Sequence, residues 1–158
     1  MISSKSETPM DFDMDKVIEK NKDNPVFYCQ YAYARASSVI NKAMNINEFK
    51  EFKKNISYFD KDSISEYERE IILKIISWPY VLIQSANLKQ PHKITNFIED
   101  LSSHFHSFWN KGKEDQNLRL IDTSNPKKTI VKLLWIESMR IVLKNAFKII
   151  GIEAHEKM

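Results

Sequence analysis

The sequence predicts an all-α protein, a bundle of four main helices. Apolar residues recur at three- and four-residue intervals over four long stretches, and no alternation of period two persists anywhere. Proline or a capping side chain stands before each of those stretches. The chain has 158 residues, enough for one domain with a sizeable core. With 42% hydrophobic and 28% charged residues its composition is that of an ordinary soluble globular protein.

Residues 1–13 read as an extended lead-in, followed by a short helix over about Met14 to Lys22. Asn24 then caps the first long helix, and Pro25 opens it, because proline lacks only an N–H that has no partner there. This helix is expected to end near Ala43. Residues 44–64 form a polar connection with scattered aromatics and room for one short helix. Ser65 and Glu68 make a capping box before the second helix, whose apolar residues include Ile71, Ile72, Ile75, Ile76 and Val81 to Ile83. Pro79 should kink or restart that helix, since it removes a backbone donor and crowds the preceding turn. Pro91 opens the third helix, with a core stripe of Ile94, Phe97, Ile98, Leu101, Phe105 and Phe108. Asn125 and Pro126 repeat the cap-plus-proline start for a fourth helix running to about Ile150, and Gly151 supplies a left-handed C-cap.

The first helix holds the most informative residues. Successive side chains turn about 100° around the axis, so Cys29, Tyr33, Ala36, Ile40 and Ala43 gather on one side as a core face. Tyr28, Tyr31, Arg35, Ser38 and Lys42 gather nearly opposite. Aromatic rings stack on unpaired bases while adjacent cations meet phosphate, a common way of holding single-stranded RNA. Spacing alone favours a second reading, in which Tyr28 and Tyr31 pack against another layer of helices. Trp109 lies about a quarter-turn off the third helix's stripe, so it is either an edge residue of the bundle or a second stacking ring.

Several function classes are excluded. Gly112 and Gly151 are the two glycines of the sequence, too few for a phosphate-binding loop or a dinucleotide fingerprint. Cys29 is the single cysteine, so no disulfide can form within the chain, and on the core face it reads as a small apolar group. His104 and His106 are two apart on a helix, so they point in different directions and cannot share a metal. Adjacent acids such as Glu99-Asp100 offer no catalytic geometry, and no catalytic residue is assigned. The N-terminus is polar and acidic, unlike a signal peptide, and no apolar run approaches a membrane span, so a cytoplasmic location is expected. Formal charge is +3, but residues 125–158 hold seven cations and three acids while residues 1–24 hold four and six. The basic segment suits an anionic partner, although taken alone it reads more readily as a solvated face.

The segment Asn24 to Arg35, NPVFYCQYAYAR, resembles the NP-x-FYVQYAHAR signature of arginyl-tRNA synthetases, which opens their helical anticodon-binding (DALR) domain. Five further matches keep the family's order: Asp11 to Asp15 resembles DFDLD; Trp78-Pro79 with Val81 and Ala86 resembles FPEVV-x-x-A; Pro91 to Ile94 through Leu101 resembles PHRL-x-x-YLYDL; Phe105 to Asn110 resembles FHSFYN; and Gly151 to Met158 resembles LGI-x-x-PERM. The likeness covers nearly the whole chain. It implies a fold of the class I synthetase anticodon-binding type over residues 14–158, with 1–13 the remnant of a linker to a catalytic domain. The HIGH and KMSKS catalytic signatures are absent, so this chain is expected to be inactive alone; ATP and Mg²⁺ are implied only for the parent enzyme, and no cofactor for this chain.

The resemblance also implies a partner, the arginine isoacceptors of tRNA, and a contact set. Tyr31 and Arg35 match family positions that approach the anticodon, Trp109 stands where tyrosine is usual, and Met158 matches a closing methionine near the anticodon pocket. Tyr28 and Lys42 join the set from their place on the helix face. Tyr33 departs from the family's histidine but lies on the core side, and Lys157 replaces arginine, keeping charge while losing a bidentate donor. A monomer without membrane contact is expected. Two alternatives stand beside this reading: the equivalent domain of a cysteinyl or glycyl β-type synthetase, against which QYAYAR and GIEAHEKM argue, and a helical protein-interaction module.

Overall fold

The computed structural model describes residues 24–54 and 64–158. Its four main helices are α1 (Pro25–Met44), α2 (Glu66–Asn87), α3 (His92–Glu114) and α4 (Pro126–Ile150). Helix α1 packs on both α3 and α4, and α2 packs chiefly on α3. The expected linker at 1–13 and short helix at 14–22 lie outside the described residues.

The helix ends follow from side-chain chemistry. Asn24 accepts from the backbone N–H groups of Val26 and Phe27, which the first turn otherwise leaves unpaired. Ser65 and Glu68 cap α2 reciprocally: Ser65 Oγ accepts from Glu68 N, and Glu68 accepts from Ser65 N at 2.9 Å. Asn125 caps α4 through Lys128 N, and Gly151 ends it at φ 76°, a region where a side chain would be strained.

Two expectations need correction. Helix α2 runs unbroken through Pro79 and does not restart. Pro79 is exposed, so the carbonyl one turn earlier that it leaves without a donor lies on the same outer side. The described part of the connection after α1 contains two 3-10 turns, Asn47–Phe49 and Phe52–Lys54, where one short helix was expected. Both turns are held by burial, since Phe49 and Phe52 are fully inside the core.

The core stripe of α3 is buried as its spacing requires, and so are Cys29, Tyr33, Ala36, Ile40 and Ala43 of α1. From α4 come Leu133, Trp135, Ile136, Met139, Leu143 and Phe147. Helix α2 is less enclosed than its sequence suggests: Ile71 is buried, whereas Leu73, Ile76, Tyr80 and Ile83 form an outward row. Among the described residues no helix is long and apolar enough to cross a membrane.

Candidate nucleic-acid interface

The aromatic-basic face of α1 is not a free surface. Two helices cover α1, and Ala32, Ala34, Ser37 and Val39 are buried along with the expected core set. Tyr28, Tyr31 and Arg35 are consequently half-buried along the edge of α3, while Ser38 and Lys42 are exposed. Tyr28 packs against the core and against His106, at 4.4 Å between ring centroids. Its ring therefore sits where the packing alternative puts it.

Arg35 organises the rest. Its guanidinium carbon lies 4.1 Å from the Tyr31 ring centroid and 5.1 Å from that of Trp109, within cation–π range of both. Arg35 Nη2 donates to the Tyr31 hydroxyl at 3.1 Å, and Nη1 lies 3.1 Å from His106 Nδ1. Both of those partners are uncharged, and among the described residues no carboxylate pairs with Arg35. The charge is thus held in place without being neutralised.

Sequence reasoning considered His106 only as a metal ligand and missed its role here. Its ring is 6% exposed, and its Nε2 lies 3.1 Å from the Tyr28 carbonyl oxygen. Burial, with a smaller contribution from the Arg35 charge, holds its pKa below the usual histidine value despite the Tyr28 hydrogen bond. The available signal was its i, i+3 relation to Trp109, which places both on one face of α3.

Beside Trp109 an open groove of about 350 Å³ runs between α1, α3 and the segment after α3. Trp109, Val39, Leu118, Leu120 and Ile121 give it apolar walls, and Lys42, Lys113 and Arg119 supply cations. The wall formed by 116–121 is fastened from beneath. Lys132 is buried and donates to the carbonyls of Asn117 and Arg119, each at 2.7 Å, and Thr129 exchanges hydrogen bonds with Asp122 N and O. Gly112 is required where this wall meets α3, because a Cβ there would stand 3.0 Å from the Leu118 carbonyl oxygen.

Two sequence expectations change with these positions. Lys132 and Arg140 do not belong to a solvated cationic face: Lys132 is spent on backbone carbonyls, and Arg140 is paired with Glu137 and Glu156. Met158 does not line the groove and is 51% exposed. The tail leading to it is nevertheless docked, with Gln30 donating to the Glu153 carbonyl at 2.8 Å and Arg140 meeting Glu156 at 3.2 Å. Of the expected contact residues, Tyr31, Arg35 and Trp109 form one cluster, Lys42 joins it across the groove, Tyr28 underlies it, and Met158 stands apart.

Burial pushes the Cys29 thiol up to about 12, so it is an apolar core group with no nucleophilic role. Among the described residues no three His, Cys, Asp or Glu side chains gather closely enough to hold a metal.

Comparison with known proteins identifies the family. Residues 29–158 match the family described as the DALR anticodon binding domain. The whole chain aligns with an arginine–tRNA ligase of Xanthobacter autotrophicus at 34% identity and with one of Rickettsia felis at 36%. It spans 27% and 28% of the length of these curated relatives. A crystal structure assigned to an arginyl-tRNA synthetase of Campylobacter jejuni superposes over 99% of this chain and 32% of its own, with a TM-score of 0.78 at 25% identity.

Proposed function

The chain belongs to the DALR anticodon-binding domain family, and on that premise we propose that it grips the anticodon loop of arginine tRNA for an arginyl-tRNA synthetase. Its role is selection and positioning of the tRNA in the cytoplasm, as a monomeric unit, for aminoacylation carried out by the catalytic part of the whole enzyme. ATP and Mg²⁺ belong to that catalytic part and to no residue of this chain.

One observation supports this reading above the others: an arginine that pairs with no carboxylate among the described residues lies over two aromatic rings, and one of those rings, Trp109, lines a groove that also carries Lys42, Lys113 and Arg119. An unstacked base can enter beside Trp109 and exchange water for ring and aliphatic contacts, while Lys42, Lys113 and Arg119 meet its phosphates. Arg35, held over Tyr31, presents its remaining N–H donors to a base edge or a phosphate oxygen. Met158, at the end of the docked tail, is kept as a separate RNA contact outside the groove, and Tyr28 supports the Arg35 cluster from below.

Titration of the purified chain with matched and mismatched anticodon stem-loops at two salt concentrations tests the proposal. The matched loop should bind more tightly, and both affinities should fall steeply with salt as phosphate contacts release counterions. The protein-interaction reading draws on the exposed row Leu73, Ile76, Tyr80 and Ile83, and it predicts no RNA affinity at either salt concentration. Equal, salt-independent behaviour of both loops would refute the anticodon reading.

A further inference from the structure

We infer that His106 is a positioning residue for RNA binding: as a neutral imidazole protonated on Nε2, it links the Tyr28 backbone to Arg35 and fixes the guanidinium over Tyr31. This rests on the proposal that Arg35 meets RNA.

The tautomer follows from the two neighbours. The Tyr28 carbonyl can only accept, so Nε2, 3.1 Å away, must carry a proton. A guanidinium can only donate, so Nδ1, 3.1 Å from Arg35 Nη1, must be bare. Both demands are met by one neutral form, and each ring nitrogen is satisfied within the protein. The imidazole is also immobilised by its neighbours, at 4.4 Å from the Tyr28 ring and 5.8 Å from the Tyr31 ring, with Phe105 at 6.1 Å. Arg35 gains a fixed acceptor on one side and the Tyr31 hydroxyl on the other, so the head of a long side chain is held beside Trp109 already ordered.

A second proton on His106 would undo this. It would occupy the lone pair that Arg35 uses and set two cations at hydrogen-bond distance. Among the described residues, Arg35 is the charged group acting on this ring, from α1; Tyr28 and Tyr31, also from α1, are the titratable side chains whose rings meet it, and its own helix presents Phe105. The ring's lowered pKa has the same sense, because its neutral form is favoured on burial. RNA affinity should therefore weaken as His106 gains its proton, opposite to the usual gain when a histidine becomes cationic near phosphate.

The test uses the full chain and a labelled anticodon stem-loop of arginine tRNA. Arg35→Ala should weaken binding about tenfold or more, the scale of a charged hydrogen bond. Wild-type affinity in that variant would overturn the function proposed for the site. His106→Phe should weaken binding comparably in wild type yet add nothing to Arg35→Ala, because the two act as one unit. Independent, additive losses, or no loss in a folded His106→Phe, would overturn the positioning role alone. His106→Asn keeps an acceptor near the Nδ1 position and should recover most of the affinity; failure to exceed His106→Phe counts against the inference. As pH falls below the ordinary histidine value of 6.5 and His106 gains its proton, wild type should lose affinity relative to His106→Asn, and profiles that stay parallel until the protein unfolds would contradict the linkage. Nitrogen NMR of the unmodified protein needs no variant to fold: at neutral pH the His106 ring should show a protonated Nε2 and a bare Nδ1, and the reverse pattern would overturn the assignment.

Discussion

Two arginines in this protein lie over tyrosines of the same helix, and they are used in opposite ways. Arg140 of α4 stands 5.5 Å from the Tyr33 ring and donates to Ser37, to Glu137 at 2.7 Å and to Glu156 at 3.2 Å. Lys53 joins the same Glu137 at 2.6 Å, tying in the segment after α1. Among the described residues, Arg35 stands over Tyr31 with only uncharged hydrogen-bond partners. One cation is consumed in joining α1, α4, the connecting segment and the tail. The other is ordered but left unneutralised beside a groove. An arginine's surroundings, more than its exposure, separate a structural role from a binding role: both side chains are only half-buried or less accessible still.

The contrast breaks if Arg140 proves dispensable for folding. Arg140→Ala leaves the mostly buried Glu137 short of a partner and Ser37 without its donor, so it should cost about 2 kcal/mol of stability in urea unfolding. RNA affinity of the folded variant should stay within about twofold of wild type, since no direct RNA contact is assigned to Arg140. A loss below about 0.5 kcal/mol, the range of ordinary surface changes, would erase the distinction.

Tyr31→Ala should show the complementary pattern: about 1–3 kcal/mol lost in stem-loop binding, the scale of a base stack, with little change in unfolding. Wild-type affinity in a correctly folded Tyr31→Ala would remove that ring from the site.

Acid should separate the two regions in pH. His106 has a lowered pKa, so its contribution to stability is complete above the ordinary histidine value of 6.5 and is lost as pH falls through its folded value. Burial pushes the Glu137 carboxyl up, but hydrogen bonds from Lys53 and Arg140, with their charges, outweigh burial and bring it below 4.5. Its contribution is complete above 4.5 and is lost only at still lower pH. Stability followed against pH should thus fall in two stages, and His106→Asn should abolish the first; a single stage unaltered by that variant would contradict the assignment.

The smallest effect should come from the tail. Removing Lys157 and Met158 should lower stem-loop affinity by less than either α1 variant and leave the bundle folded, because the docking contacts lie at Glu153 and Glu156. Unchanged affinity would take Met158 out of the contact set.

Local signals were legible wherever the chemistry is local. Asn24 before Pro25, Ser65 with Glu68, Asn125 before Pro126 and Gly151 each act within a few residues, and each works in the structure as its spacing suggests. The α3 stripe was legible for the same reason, because one helix face repeats along the chain. His106, Gly112 and Lys132 were not. Their partners lie on other segments: the Tyr28 carbonyl is 78 residues from His106, and the carbonyls held by Lys132 are 15 and 13 residues away. Ile76 and Ile83 misled because helical spacing says that a face is apolar without saying what covers it.

Sequence alone therefore determined the helical class, the four long helices with their caps, and the family, since periodicity, caps and ordered motifs are read along one strand of covalent chain. Tertiary structure decided which cations remain available. Charge neutralisation acts through space, and only packing could bring Glu137 and Glu156 to Arg140 while bringing uncharged His106 and Tyr31 to Arg35.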